Sequence, residues 1–156
     1  MPSITRRSFF KSAAAGAAVL AVGATLNRSA LAADDAKEVK FAKDPKNLQA
    51  GLETAHTPAL ILEKVDSKGV AYGKTPAGEF YRVTVQAKHE ATKDHHIDGI
   101  ALFINGQLVA EHSMNPAQAE ASLPTIGFTQ RLKAGDELLA VSSCNIHGKW
   151  GNRTTV

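Results

Sequence analysis

The sequence predicts an all-β protein, an antiparallel β-sandwich of about seven strands. From Pro58 onward, short β-prone runs follow one another with turn-forming residues between them. No stretch in this region has the sustained apolar periodicity of a long helix. Short strands at this spacing, broken by explicit turns, are typical of sandwiches.

Seven runs are predicted as strands, and they cover residues 59–65, 70–72, 79–87, 97–104, 107–112, 125–131 and 137–143. Turns are predicted at 66–69, 75–78, 105–106 and 133–136. Asn105 and Gly106 between two apolar runs are the strongest hairpin signal, because a type I′ turn needs positive φ at both central residues. The core is predicted to contain Phe80, Tyr81, Val83, Val85, Ile100, Leu102, Phe103, Leu138, Leu139 and Val141.

The N-terminus has the pattern of an export signal. Arg6 and Arg7 stand in a twin-arginine pattern, a weakly apolar run covers 12–26, and residues 30–32 read A-L-A, an A-x-A cleavage site. A membrane anchor is the alternative, but a span needs about 20 strongly apolar residues. We therefore predict that residues 1–32 are a twin-arginine signal peptide, removed on export, and that the mature protein is periplasmic and not membrane-bound.

Charge argues against a nucleic-acid partner. The signal removes four of the 18 basic residues and no acidic one, so 14 basic and 15 acidic residues remain and the net charge is −1. No basic stripe interleaved with aromatics is left to follow a phosphate backbone. Residues 33–50 are charged and lack strand alternation, which predicts a mobile or surface-draped N-terminal segment.

The only cysteine, Cys144, lies three residues before His147. A single cysteine cannot form an internal disulfide. This C-x-x-H spacing allows a tight turn to direct a thiolate and an imidazole at one metal ion. Covalent haem attachment would need C-x-x-C-H, and structural zinc sites usually use more than one cysteine.

Other histidines could join this pair. His89 and His95 flank a polar loop, and His56 precedes the first predicted strand. His95 and His96 are adjacent at a strand start, where successive side chains point to opposite faces, so only one of them can face the same ion. We predict that it is His95. His112 has no partner pattern and is predicted to be structural.

The combined pattern resembles the superoxide reductase family, the iron domain of desulfoferrodoxin and neelaredoxin. The family's terminal C-N-x-H-G-x-W segment is matched from Cys144 to Trp150, its loop histidines by His89 and residues 94–97, and its His-x-Pro by residues 56–58. The likeness covers about residues 50–152. It predicts that residues 51–156 form an iron domain with an immunoglobulin-like fold.

The resemblance also implies a site and a reaction. The ligands would be His56, His89, His95 and His147 in a plane around Fe(2+)/Fe(3+), one iron per chain, with Cys144 axial and the sixth position open. The reaction implied is the one-electron reduction of superoxide to hydrogen peroxide, with an external one-electron donor. Family members also assemble, so a homo-oligomer is predicted.

Elementary electrostatics agrees with an anionic substrate. Four neutral imidazoles and one thiolate leave a ferrous site with a net charge of +1, which attracts a small anion. An axial thiolate pushes electron density toward the opposite ligand, as in thiolate-ligated haem. Trp150 is predicted to shield the sulfur or to serve simply as a packing residue.

One family feature is missing. A Glu-Lys pair often precedes the first ligand histidine, and this chain has Thr54 and Ala55 there. Lys88 and Lys149, close in sequence to predicted ligands, are candidates for steering superoxide by their positive charge.

The main alternative is a cupredoxin-type electron-transfer or metal-binding protein, which also combines a β-sandwich with Cys and His ligands. Blue-copper sites use two histidines, one cysteine and commonly a methionine shortly after the second histidine. Met114 lies well upstream instead. A structural zinc protein or a thiol carrier is a third possibility.

Overall fold

The computed structural model describes residues 38–66 and 78–156, which form two β-sheets and two short helices. The elements are β1 (Lys40–Phe41), α1 (Leu52–His56), β2 (Ala59–Lys64), β3 (Glu79–Gln86), β4 (Ile97–Ile104), β5 (Gln107–Ser113), α2 (Pro116–Ala121), β6 (Thr125–Leu132), β7 (Glu137–Cys144) and β8 (Gly148–Thr155). One sheet has the order β1-β8-β7-β4-β5 and the other β2-β3-β6. The predicted β-sandwich is confirmed.

Six of the predicted strands occur with ends that differ by at most one residue from the prediction. The seventh, 70–72, lies outside the described residues. Strand β8 was not predicted, because its sequence from Gly148 is mostly polar or glycine and has no apolar alternation. It nevertheless pairs with β7 along its whole length, from Cys144 opposite Gly148 to Glu137 opposite Thr155. Pairing with an existing sheet edge overrides the weak local preference.

The main core lies between the two sheets. Val83 and Val85 of β3 pack with Leu102 of β4 and Leu138 of β7, all at most 1% exposed. Burying each such side chain contributes about 1.5–3 kcal/mol. Of the ten predicted core residues, seven are buried, whereas Phe80, Tyr81 and Leu139 are only partly buried. The Arg131 guanidinium lies 4.4 Å from the centroid of the Phe80 ring, so this ring also contacts a charged group.

The end of the sandwich away from the histidines is closed by the predicted Asn105-Gly106 hairpin. Both residues have positive φ, 50° and 77°, as a type I′ turn requires. The Asn105 amide donates to Asp136 and accepts from the backbone N–H of Glu137, each at 3.0 Å. The hairpin is thereby tied to the start of β7.

The segment predicted as mobile or surface-draped contains the two-residue strand β1. It pairs in parallel with β8, Lys40 opposite Trp150 and Phe41 opposite Gly151. A side chain at Gly151 would come within 2.6 Å of Val39, so glycine permits this close approach. No helix in the described ranges is long and apolar enough to cross a membrane.

Candidate metal centre

The five predicted ligands lie at one end of the sandwich. His56 ends α1 just before β2, and His89 follows β3. His95 precedes β4, Cys144 ends β7, and His147 lies in the turn to β8. Because β4 and β7 are antiparallel neighbours with Ile97 opposite Cys144, the start of one strand meets the end of the other. Sheet topology therefore brings together residues up to 91 positions apart.

The ring nitrogens of the four histidines form a chain of short contacts. His56 Nε2 lies 3.1 Å from His147 Nδ1, which lies 3.0 Å from His95 Nε2. His95 Nε2 in turn lies 3.0 Å from His89 Nε2. Cys144 Sγ is 3.7 Å from His147 Nδ1. The donor atoms of His56, His95, Cys144 and His147 all lie within 4.8 Å of one another, and His89 joins them through His95.

This spacing fits a metal ion. Imidazole nitrogens bind transition metals at about 2.1 Å, so two of them at right angles around one ion are about 3.0 Å apart. The tautomer of His56 also fits. Its Nδ1–H donates to the carbonyl of Leu52 at 2.8 Å, which leaves the lone pair on Nε2 facing the other donors. The donor set of imidazoles and one thiolate suits a transition metal such as iron or copper.

Burial keeps two of these rings neutral. Burial is the main cause that lowers the pKa of His89 to about 4, and the neighbouring histidines, His56 first, contribute to the same shift. Burial also lowers the pKa of His56. The hydrogen bond to Leu52 acts in the opposite direction, and electrostatic repulsion from His147, His95 and Lys40 adds to the lowering. A neutral imidazole is the form that binds a metal.

Hydrogen bonds outside the donor set hold the ligand-bearing loops. The Asn145 side chain accepts from the N–H of His96 at 3.0 Å and donates to the carbonyl of Asp94 at 2.9 Å. These two groups lie on either side of His95, so one amide fixes the backbone of that ligand. On the opposite side, the Ser142 hydroxyl donates to the carbonyl of His56.

Replacing Asn145 with alanine should loosen His95. Two lost hydrogen bonds at about 0.5–1.5 kcal/mol each should lower the free energy of unfolding by about 1–3 kcal/mol. Release of the bound metal to a chelator should become several-fold faster. Asn115→Ala is the matched control, since Asn115 caps α2 through a similar side-chain contact with Gln118. Equal metal-release rates in both variants would contradict a role for Asn145 at the centre.

The remaining histidines lie outside the cluster. His96 is buried, and its Nε2 lies 3.1 Å from Asp98 Oδ1. His112 is exposed on β5. The structure thus brings His95, and not its neighbour, into the group of donors. Both histidines precede β4, which begins at Ile97, so strand alternation does not decide between them.

A pocket of about 420 Å³ opens beside His89 and His95. Its other lining residues are Gly51, Thr54, Ala55, Lys88 and Glu90. Of the two candidate steering lysines, Lys88 lines this pocket, whereas Lys149 lies on β8 opposite Ser143 and is not among the described residues that line it. Glu53, the acidic residue just before Thr54, is not among the described residues that line the pocket, and its carboxylate accepts from the N–H of Gln49 at 3.0 Å.

One contributor was not found from the sequence: the Lys40 ammonium, which donates to the carbonyl of His147 at 2.9 Å. Trp150, already noted as a candidate shield for the sulfur, has its ring 5.8 Å from the ring of His56. Lys40 belongs to a charged run without periodicity, so no local pattern distinguishes it from its neighbours. Shielding of the sulfur by Trp150 stays a prediction.

Together, the sandwich and the convergent donors define a β-sandwich metalloprotein with a histidine and cysteine centre. The family model for desulfoferrodoxin matches residues 51–153. The chain therefore belongs to the desulfoferrodoxin family.

Solved structures of superoxide reductases share this fold. A variant of the neelaredoxin-type superoxide reductase from Ignicoccus hospitalis is 25% identical, with a TM-score of 0.52 over 78% of this chain and 94% of that one. Another structure of that protein is 23% identical, with a TM-score of 0.55 over 78% and 95%. The reduced neelaredoxin from Archaeoglobus fulgidus is 21% identical, with a TM-score of 0.50 over 76% and 97%. The search of curated proteins returned no match.

Proposed function

We propose that the protein is a superoxide reductase with one mononuclear non-haem iron per chain. His56, His89, His95 and His147 would hold the iron together with Cys144. The observation that carries this proposal is the chain of four ring nitrogens at 3.0–3.1 Å with the cysteine sulfur beside it, in a member of the desulfoferrodoxin family. Bound iron supplies a Fe(2+)/Fe(3+) couple that can give one electron to superoxide.

The overall reaction balances with external reactants. Superoxide takes one electron from the centre and two protons from solvent or nearby groups, and it leaves as hydrogen peroxide. An external one-electron donor then restores the reduced centre. The pocket beside His89 and His95 gives solvent and a diatomic anion a route to the donor cluster.

The protein's own residues contribute positive charge and keep solvent away from one side of the site. Neutral imidazoles and one thiolate leave a positive centre, which attracts an anion to the pocket. Lys88 adds a positive charge on the pocket wall. It would replace the charge of the family's lysine, which Thr54 and Ala55 do not provide. The buried sulfur of Cys144, 3% exposed, keeps its side of the site away from solvent.

The cupredoxin alternative is disfavoured by the same geometry. Blue-copper sites use two histidines, whereas four imidazole nitrogens converge here. Met114 is buried in an apolar cluster that also contains Cys144, but it lies 30 residues before Cys144 in the sequence and not shortly after the second histidine, where a blue-copper methionine is commonly found.

Metal analysis of protein purified from its native host tests the choice of iron. We expect one iron per chain, since one set of five donors is present in the described part of the chain. Copper or zinc with negligible iron would rule out the iron assignment.

The two lysines give a direct test of steering. Lys88→Gln should slow the reaction with superoxide about three- to tenfold at low ionic strength and flatten its salt dependence, because a pocket charge acts over a Debye length of about 10 Å at 0.1 M. Lys149→Gln removes the same charge outside the pocket and should change the rate much less. Equal effects of both substitutions would assign steering to net charge instead of to Lys88.

Export and assembly complete the proposal. The twin-arginine pattern and the A-L-A sequence support cleavage after Ala32 and a periplasmic location. N-terminal sequencing of the native protein should begin at Ala33, and replacing both Arg6 and Arg7 with lysine should retain the precursor in the cytoplasm.

Light scattering of the purified protein should report the predicted homo-oligomer.

A further inference from the structure

The N-terminal segment 38–41 lies across β8, the strand that follows the Cys144–His147 turn. Its strand β1 pairs with β8, and Val39 packs against the buried cluster of Ala101, Phe103 and Val141 on the outer side of the five-stranded sheet. The Arg153 guanidinium lies 4.5 Å from the Phe41 ring centroid. Several independent contacts therefore fix the position of Lys40 between Val39 and Phe41.

From this position Lys40 reaches the metal centre. Its ammonium donates to the carbonyl of His147 at 2.9 Å, across 107 positions of sequence. The same nitrogen lies 5.7 Å from the Trp150 ring centroid, and that ring is 5.8 Å from the ring of His56. A charge-assisted hydrogen bond is about twice as strong as a neutral one.

The bonded carbonyl lies in the turn that carries two of the five donors. Residues 145–147 connect Cys144 of β7 to Gly148 of β8 at the turn of the hairpin, and Gly148 takes a positive φ of 74°. The side chain of Ile146 is 60% exposed, so little packing holds the tip of the turn. A contact from outside the hairpin therefore affects the orientation of the His147 side chain.

We infer that Lys40 is a positioning residue of the metal centre, which fastens the Cys144–His147 turn and raises the reduction potential of the bound metal. The effect on the potential rests on the proposed function. With four neutral imidazoles and one thiolate, the oxidised iron site has one more positive charge than the reduced site. A fixed positive charge beside it disfavours the oxidised state and so favours the reduced one.

Redox titration of three iron-loaded variants tests this electrostatic role. Lys40→Met keeps an aliphatic stem over Trp150 but removes the charge, and Lys40→Arg keeps both the charge and a donor. Lys43→Met removes one positive charge from an exposed position of the same segment. At a fixed applied potential, Lys40→Met should raise the ratio of oxidised to reduced iron about threefold, which corresponds to about 28 mV at 59 mV per tenfold change. Lys40→Arg should stay close to the wild type, and Lys43→Met should show no comparable shift.

Amide hydrogen exchange of the metal-free full-length chains tests the fastening role without any metal. Exchange at residues 145–148 should be several-fold faster in Lys40→Met than in the wild type or in Lys43→Met, because the turn loses one of its contacts from outside the hairpin. Unchanged exchange and an unchanged potential in Lys40→Met would overturn the inference, as would equal shifts in Lys43→Met. If the wild type holds no iron, the proposed function fails, and the exchange result alone then decides whether Lys40 fastens the turn.

Discussion

The Cys144→Ser variant is expected to lose the visible sulfur-to-iron charge-transfer band of the oxidised protein. Its rate of superoxide reduction should fall at least about tenfold, because an oxygen ligand donates less electron density than a thiolate. Cys144 is the only cysteine, is 3% exposed, and has its sulfur 3.7 Å from His147 Nδ1. No other residue of the chain can supply the thiolate.

Absorption spectra of oxidised protein, recorded at known iron content, check this expectation. Ser143→Ala is a suitable control, since it alters the neighbouring residue of β7 and leaves the donors in place. A Cys144→Ser protein that holds iron and keeps the band would refute the assignment of Cys144 as a ligand.

The His56→Ala variant is expected to lose iron and stability together. His56 is 2% exposed, donates to the carbonyl of Leu52, and places Nε2 3.1 Å from His147 Nδ1. Truncation leaves a cavity and removes the side-chain hydrogen bond to Leu52, which should lower the free energy of unfolding of the metal-free protein by about 2–4 kcal/mol. Removal of one of the converging donors should reduce the iron content to less than about a tenth of the wild-type value, because no neighbouring side chain takes the place of the lost ligand.

Iron per chain and denaturant unfolding of the metal-free proteins measure the two effects separately. His112→Ala is the matched control, because His112 is exposed on β5 and outside the donor cluster. It should retain iron and change stability little. A His56→Ala protein with full iron content would remove His56 from the ligand set.

The parts of the fold that follow local patterns were predictable from the sequence. Apolar and β-branched runs placed six strands, and Asn105 with Gly106 defined the hairpin through the φ values that a type I′ turn requires. The capping box of α2, with Asn115 and Gln118 three residues apart and Pro116 at the first helical position, is also visible in the sequence, although that short helix was not predicted.

Features that depend on tertiary pairing were not predictable. Strand β8 is mostly polar and forms because β7 offers an edge, and β1 forms because Gly151 of β8 lets Val39 approach. The bond from Lys40 to His147 spans 107 positions and has no local signal.

The same distinction between local sequence patterns and tertiary pairing applies to the metal donors. Spacing paired Cys144 with His147, and alternation limited the adjacent His95 and His96 to one ligand. Which of the two it is, and the convergence with His56 and His89, depend on where the strand ends meet. The choice between Lys88 and Lys149 also required the fold, since both lie within two residues of a predicted ligand. The pocket beside His89 distinguishes them.

Pulse radiolysis of the reduced, iron-loaded protein tests the central claim most directly. The account predicts that each superoxide consumed oxidises one iron and yields one hydrogen peroxide, without release of dioxygen. Iron that stays reduced after the pulse, or dioxygen formed together with the peroxide, would contradict a superoxide reductase.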